Sequence, residues 1–239
     1  MAISRLSLTN IKGEIFDIFG VDESTNAPWE TDAALYIKIN MTAQKLAQRV
    51  SQVLAGQGKP VEADLVRFDM WRTIANSTAS TGAGNFVVAS GSQTAHFPND
   101  YDQWISFWDL THDRWIYPIE RKHSERFKRL RLRAPGPAEA LEILDFDSDS
   151  NGQRQLRIWP EVASGITPSI EMTYYRLPTA MPGSDPDNEY PDADPKFHYL
   201  WVLEPILELF RVDDPSYRRY VEEEQMLVRQ LAATARAIT

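Results

Sequence analysis

The chain has 239 residues, with 25 basic and 34 acidic side chains, which gives a formal net charge of −9. Its composition, 43 % apolar and 25 % charged, is that of a globular protein and argues against a disordered, collagen-like or coiled-coil chain. Because the chain has no cysteine, disulfides, zinc–thiolate sites, iron–sulfur clusters and cysteine nucleophiles are excluded. The acidic balance disfavours general binding to nucleic acid, which needs clustered cations.

The N-terminal sequence lacks the apolar core of a secretory signal. No stretch reaches the roughly 18 apolar residues that a membrane-spanning helix needs. We therefore expect a soluble protein that is made in the cytoplasm and has no membrane partner.

Two amphipathic helices are predicted at the start of the chain. The first covers 8–19 and ends at Gly20, which suits a C-terminal cap. The second begins at Thr31 or Asp32 and ends near Gly56. Its apolar face is formed by Leu35, Ile39, Thr42, Leu46, Val50 and Val53.

From residue 62 the apolar period changes to two, which predicts β-strands. The strand-like runs are 66–70, 86–90, 104–110, 114–120, 126–134, 140–146, 154–160 and 169–178. Short strands at this spacing favour an antiparallel sandwich or a curled sheet. Residues 73–99 carry no charged side chain, and we expect an extended hairpin or loop there.

The C-terminal part is predicted to be a linker followed by two helices. The linker, 179–195, is acidic and rich in proline. Asp194 and Pro195 cap a helix that runs to about residue 210 and is kinked at Pro205. One face of the last predicted helix is formed by Tyr217, Tyr220, Glu224, Leu227, Leu231, Ala235 and Ile238.

These elements predict an α+β fold in which a helical bundle carries an inserted antiparallel β domain. The N-terminal helices occupy 1–60 and the β domain 61–178. The linker follows at 179–195. The C-terminal helical hairpin, 196–239, packs on the N-terminal helices and completes the bundle.

The sequence from Asp147 to Gly152 matches the first half of an EF-hand calcium loop. Such a loop needs an acidic residue at its twelfth position, where this chain has Ile158. We interpret the motif as a hairpin turn built on Asn151 and Gly152, and leave a weak calcium site as the alternative.

No catalytic residue, metal site or cofactor is predicted. The four histidines show no metal-ligand spacing, and the chain has neither a nucleophile elbow nor a phosphate loop. The candidate acids are Asp109, Asp113 and Glu120, beside Trp104, Trp108 and Trp115. They leave a carbohydrate-active hydrolase or a carbohydrate-binding tail accessory module as alternative functions.

A basic run extends from Arg121 to Arg133, with seven cations against Glu125. On a strand, Arg129, Arg131 and Arg133 would share one face, and we call these three residues the basic ladder. The side chains of such a ladder could face water, DNA or an acidic surface of a neighbouring protein. Residues 185–224 hold twelve acids against four bases and could supply that acidic neighbour in a ring.

The order of the elements, with the glycine and proline residues that separate them, resembles that of the head-to-tail connector adaptor proteins of tailed bacteriophages. The resemblance covers 8–236 and rests on a glycine-ended first helix, a second helix, and a strand–Pro–turn–strand unit with Trp159-Pro160 and Tyr174-Tyr175. The proline-rich acidic connection and the helical hairpin follow in the same order. The matching stretches are 7–23, 31–50, 81–110, 157–181 and 195–226.

This resemblance implies a virion structural protein at the head–tail interface, with no enzymatic activity. Such adaptors form a ring, commonly of twelve copies, beneath the portal protein. The ring extends the DNA channel and docks the tail or nozzle protein, and genomic DNA passes through without specific binding. The helix with Tyr217, Tyr220, Leu227 and Leu231 is then a candidate for docking a partner.

Overall fold

The computed structural model describes residues 5–21, 31–59, 61–62, 66–77, 86–88, 91–119, 134–148, 154–210 and 214–237. The chain divides into two compact units. We call Met1–Trp71 with Pro178–Thr239 the terminal unit, and Arg72–Leu177 the central unit.

The terminal unit begins with two helices whose ends follow from their capping residues. Helix α1 (Leu8–Phe19) starts with a capping box between Ser7 and Asn10 and ends at Gly20, whose φ is 62°. Helix α2 (Asp32–Gly56) starts at Thr31, whose hydroxyl accepts a hydrogen bond from the Ala34 N–H. Both helices lie where the sequence predicts them.

The C-terminal part of the terminal unit holds two more helices and a small sheet. A 3₁₀ turn (Pro195–Phe197) precedes helix α3 (Leu200–Leu207), and helix α4 covers Pro215–Ala232. Strand β1 (Val66–Phe68) pairs antiparallel with β10 (Ala235–Ala237), and the 3₁₀ turn Asp69–Trp71 follows β1.

A single apolar core holds the terminal unit together. It includes Ile15 of α1, Ile39 of α2, Trp201 of α3 and Leu231 of α4, all almost fully buried. Burying side chains of this size stabilises the fold by about 1.5–3 kcal/mol each.

The proline-rich linker is held within the terminal unit by hydrogen bonds to its main-chain groups. The Asn40 side-chain amide donates to the Met181 carbonyl at 2.8 Å, and the Met181 N–H donates back to Asn40 Oδ1 at 2.8 Å. The Leu8 N–H donates to the Glu189 carbonyl at 2.7 Å. A segment that cannot form a helix or strand therefore still has main-chain groups paired.

The central unit is an eight-stranded sheet. Its strands are β2 (Arg72–Asn76), β3 (Val87–Val88), β4 (Thr94–His96), β5 (Tyr101–Asp109), β6 (Arg114–Ile119), β7 (Ala140–Ser148), β8 (Arg154–Trp159) and β9 (Ile170–Arg176). Their spatial order is β2-β9-β5-β6-β7-β8-β4-β3. All neighbours are antiparallel except β6 and β7, which run parallel with Tyr117 opposite Ala140.

One face of this sheet carries the core of the central unit, while part of the other is exposed and aromatic. Phe107, Met172 and Leu156 are fully buried on the core face. On β6, Trp115 is 53 % exposed and Tyr117 is 70 % exposed. Trp115 meets Trp108 of the neighbouring strand edge-to-face, with ring centroids 4.6 Å apart.

The predicted fold class, a helical bundle with an inserted antiparallel β domain, is wrong. The largest element is a mixed sheet of eight strands, and the terminal unit combines few helices with a two-stranded sheet. Residues 120–139 separate β6 from β7, and a separation of this length allows a parallel pairing that a two-residue hairpin does not. The alternation of apolar and polar residues along one strand does not show whether its neighbour in the sheet runs parallel or antiparallel to it.

The two C-terminal helices also differ in extent from the predicted ones. The helix predicted from Pro195 to residue 210 is a 3₁₀ turn followed by α3, with Pro205 inside its last turn. The last helix ends at Ala232, because residues 235–237 pair with β1 instead. A distant strand partner thus overrides the local preference for helix.

Candidate functional site

Three helices of the terminal unit meet at a network of charged side chains. Three cations spaced seven and four residues apart lie along α2, so they share one side of that helix. They face three carboxylates on α3, at its C-terminal end and on α4. The members are Lys38, Lys45, Arg49, Glu204, Glu208 and Glu224.

Arg49 is the centre of the buried part of this network. Its Nε donates to Glu204 Oε1 at 3.0 Å, and its Nη2 donates to Glu204 Oε2 at 3.4 Å. The same Nε lies 3.5 Å from Oε1 of Glu224. Glu204 is 1 % exposed and Glu224 is 5 % exposed. One guanidinium therefore serves two buried carboxyl groups, and its two-pronged contact goes to Glu204.

The outer part of the network is closer to solvent. Glu208 accepts from Lys38 Nζ at 2.9 Å and also contacts Lys45 Nζ. Ion pairs of such partly exposed side chains contribute about 0–1 kcal/mol each. The buried end at Arg49 therefore dominates the energetics of the network.

The buried end favours a proton on Glu224. Burial and the neighbouring Glu204 carboxylate together raise the pKa of Glu224 to about 7, although Arg49 lowers it. Ionising both of two carboxyl groups in contact costs free energy, because their like charges repel and a single cation contacts both. The pair can therefore hold one proton near neutral pH.

A groove of about 590 Å³ opens beside Glu224, between the C-terminal halves of α2 and α4. Gln52, Val53 and Gly56 line it from α2, and Val228 lines it from α4. Besides the Glu224 carboxyl group, the lining combines the guanidinium groups of Arg49 and Arg229 with amide groups and small apolar surfaces.

The four residues predicted to dock a partner lie on α4, and much of their surface is used within the terminal unit. Leu231 is fully buried in its core, and Leu227 packs against that core. Tyr220 stacks on Phe210 with ring centroids 5.5 Å apart, and Tyr217 is half-buried. The partner-docking role of this helix stays a prediction.

Two other predicted features fall mainly outside the described residues. The basic ladder, Arg129, Arg131 and Arg133, lies outside them, as does the stretch 149–153 of the calcium-like motif. Among the described residues, no group of histidine and acidic side chains could hold a metal ion. In the same part of the chain, no helix is both long and apolar enough to cross a membrane.

Of the acids predicted as hydrolase candidates, Asp109 is buried at the end of β5. Asp109 is 3 % exposed, and its Oδ1 accepts hydrogen bonds from the Thr111 and His112 N–H groups. Its Oδ2 lies 2.7 Å from His112 Nδ1. Asp113 occupies the turn with a φ of 50°, and Glu120 lies outside the described residues. The Asp109 carboxylate therefore shapes the β5–β6 hairpin.

Comparison with protein families shows where this chain belongs. The family model of the SU10 adaptor protein matches residues 41–238, well over half of the chain. The chain belongs to the SU10 adaptor protein family. Membership confirms the resemblance to phage head-to-tail adaptors and gives this family member the structural role of an adaptor. No match was found among curated proteins.

The matched range of the SU10 adaptor protein family contains the buried end of the charge network, Arg49, Glu204 and Glu224, together with the central unit. Of the described helices and strands, only α1 and the first turns of α2 precede it. The buried end of the network therefore lies within the part of the chain that the family defines.

No sequence pattern predicted this network, although two signals were present. Glu224 falls on the apolar stripe of the last helix, and Glu204 interrupts a run of buried residues in α3. A carboxylate at a buried position requires a partner. That partner, Arg49, precedes Glu204 by 155 residues, so no local pattern connects them.

Proposed function

We propose that the chain is a virion structural protein, a head-to-tail connector adaptor that forms a ring beneath the portal protein. The ring extends the DNA channel and docks the tail or nozzle protein, and its copy number is twelve. The chain is made in the host cytoplasm and takes its place at the head–tail interface of the virion. The observation that carries this proposal is the family match over 41–238.

The charge of the chain supports passage of DNA without specific binding. A net charge of −9 makes the surface repel phosphate on average, so DNA slides past and is not held. The basic ladder at 129–133 is then assigned to a neighbouring protein surface and not to DNA.

The exposed aromatic face of the central unit supports extensive protein contacts. Trp115 and Tyr117 lie next to one another on the outer side of β6 and expose more than half of their surface. Large exposed aromatic side chains are enriched where proteins bind one another. An adaptor that contacts a portal, a tail protein and two neighbouring copies needs such surfaces.

Sedimentation and negative-stain imaging of the purified protein, alone and mixed with the portal protein of the same phage, test the proposal. We expect a ring that co-sediments with the portal. A chain that stays monomeric and does not associate with the portal would contradict the adaptor function. A glycan-binding screen on the same sample tests the carbohydrate alternative, for which the position of Asp109 provides no support.

A further inference from the structure

Strand β2 forms one edge of the eight-stranded sheet, and among the described residues no strand lies on its outer side. Directly after the strand, the Ser77 N–H donates to the Ile170 carbonyl at 2.7 Å. Because the direction of hydrogen bonding alternates along an antiparallel strand, every second residue from Arg72 to Asn76 points its main-chain groups to the open edge. The edge therefore offers a row of N–H and C=O groups to a further strand.

The residues with these open main-chain groups also have the exposed side chains of β2. Arg72, Ile74 and Asn76 are exposed, whereas Ala75 packs against the core of the central unit. Ile74, in the middle of the strand, exposes 59 % of its surface. Edge strands that avoid pairing carry prolines, bulges or several charges, and β2 has a regular register, no proline and one charge. Its sequence therefore leaves the edge open to strand addition.

A second copy of β2 fits this edge in the antiparallel direction. When the two Ile74 residues lie opposite each other, Arg72 of each copy lies opposite Asn76 of the other. Each of these opposed pairs then exchanges two N–H···O bonds. The two Ile74 side chains cover each other on one face of the joined sheet. On the other face the small side chains of Thr73 and Ala75 meet, so neither face is crowded.

The charges beside the edge favour this pairing. Asn76 lies opposite Glu171 of β9. Since neighbouring strands are about 4.8 Å apart, Arg72 of the second copy lies about 10 Å from Glu171 between Cα atoms, and their extended side chains meet across Asn76. Within one copy, Arg72 lies opposite Tyr175, at the other end of the paired stretch from Glu171. Among the described residues, neither Arg72 nor Glu171 has an ion-pair partner.

We propose that two copies of the free chain pair antiparallel through β2, with Ile74 opposite Ile74 and Arg72 of each copy beside Glu171 of the other. The sheets of the two central units then form one continuous sheet. This pairing has a two-fold axis, whereas neighbours in a closed ring meet head-to-tail. It therefore belongs to the chain before assembly and does not depend on the proposed function.

Site-directed cross-linking tests the register, and the absence of cysteine from the native chain removes any background reaction. In the proposed pairing the Cα atoms of the two Ile74 residues lie about 5.5 Å apart. We expect a short bifunctional maleimide to link Ile74→Cys into a homodimer. Asn76→Cys, on the same face of the same strand, is the matched control. Its two copies lie about 14 Å apart in this register and should give about tenfold less product.

A mixture of two variants checks the same register from the opposite direction. Arg72→Cys and Asn76→Cys lie opposite each other in the proposed pairing. We therefore expect the mixed preparations to give a cross-linked heterodimer, although Asn76→Cys alone gives little product.

Ile74→Lys tests the pairing without changing the core. Because Ile74 is exposed, the variant should retain the Tm of the native chain, while two lysines face each other across the two-fold axis. Sedimentation equilibrium should show the Kd of the dimer raised about tenfold or more. Leu110→Lys replaces another exposed aliphatic residue of the central unit, which follows β5, two strands from the edge. It is the matched control and should leave the dimer unchanged.

Charge reversal tests the contact between Arg72 and Glu171. Arg72→Glu and Glu171→Arg each bring like charges together across the interface, so each should weaken the dimer about tenfold. The double variant again places opposite charges together and should restore the dimer. A double variant that is as weak as the single ones would contradict the contact.

The outcomes distinguish this inference from the proposed function. A native chain that stays monomeric at about 100 μM overturns the pairing. Equal cross-linking of Ile74→Cys and Asn76→Cys also overturns it. A monomer that forms a ring on the portal overturns the pairing alone and leaves the adaptor function standing. A dimer that cross-links as expected and does not associate with the portal supports the pairing and contradicts the adaptor function.

Discussion

At the scale of single residues, Glu224 shows how burial changes an ordinary side chain. Its carboxyl group lies among packed helices, next to a second carboxyl group and 3.5 Å from a guanidinium nitrogen that is already engaged. The folded state therefore binds a proton on Glu224 more tightly than the unfolded chain does, because its pKa is raised from 4.5 to about 7.

This raised pKa predicts that stability falls as the pH rises. The contribution of the proton is fully present below the unfolded pKa of 4.5 and is lost as the pH passes through about 7. From about pH 6 to about pH 8 we expect a loss of about 1 kcal/mol, or about 2–4 °C in Tm. Glu224→Gln should remove this part of the pH dependence in thermal unfolding, whereas Glu222→Gln should retain it.

Arg49 is predicted to contribute more to the free energy of unfolding than any exposed cation of α4. Arg49→Met leaves two buried carboxyl groups without their cation and should lower the free energy of unfolding by about 2–3 kcal/mol, less than a fully buried pair because Arg49 is partly exposed. Urea unfolding measures this loss. Arg229→Met, which removes an exposed arginine, serves as the control and should cost less than about 0.5 kcal/mol. Equal losses for the two variants would contradict the central role of Arg49.

At the scale of elements, the linker between the β9 strand and α3 is fixed by close packing as well as by hydrogen bonds. Gly183 has a φ of 80°, and a Cβ at this position would overlap the ring of Tyr36 on α2. Both its backbone conformation and its surroundings therefore require glycine. The Asn40–Met181 hydrogen bonds lie close by in the chain and hold the same stretch against α2.

Gly183→Ala should therefore destabilise the terminal unit by more than the backbone conformation alone explains. Gly58 has a φ of 74° and open space around it, so Gly58→Ala measures the backbone part, about 1–2 kcal/mol. We expect a larger loss for Gly183→Ala in urea unfolding. The excess should shrink when Tyr36→Ala is added, and an excess that persists would show that the ring is not its cause.

Elements whose signals are local could be predicted from the sequence, whereas those set by distant partners could not. Helices α1 and α2 carry their own caps at Ser7, Thr31 and Gly20, and their positions are predicted correctly. Strand β10 forms because Ala235–Ala237 finds β1, about 170 residues earlier in the chain. The parallel pairing of β6 and β7, like the contact between Arg49 and Glu204, likewise depends on residues that no local pattern joins.

At the scale of the whole molecule, the net charge of the chain allows a test of the proposed passage of DNA without specific binding. With 34 acidic and 25 basic side chains, the chain lacks the cationic excess that releases counterions from DNA. We expect no retardation of duplex DNA by micromolar protein in a gel at about 0.15 M salt. Tight binding that weakens steeply with added salt would instead assign the basic run to DNA.

The most direct test of the adaptor function is an electron cryo-microscopy reconstruction of the chain mixed with its portal protein. We predict a ring of copies on the portal, with an open channel along the axis. A portal without added density, or with single copies bound irregularly, would contradict the adaptor function.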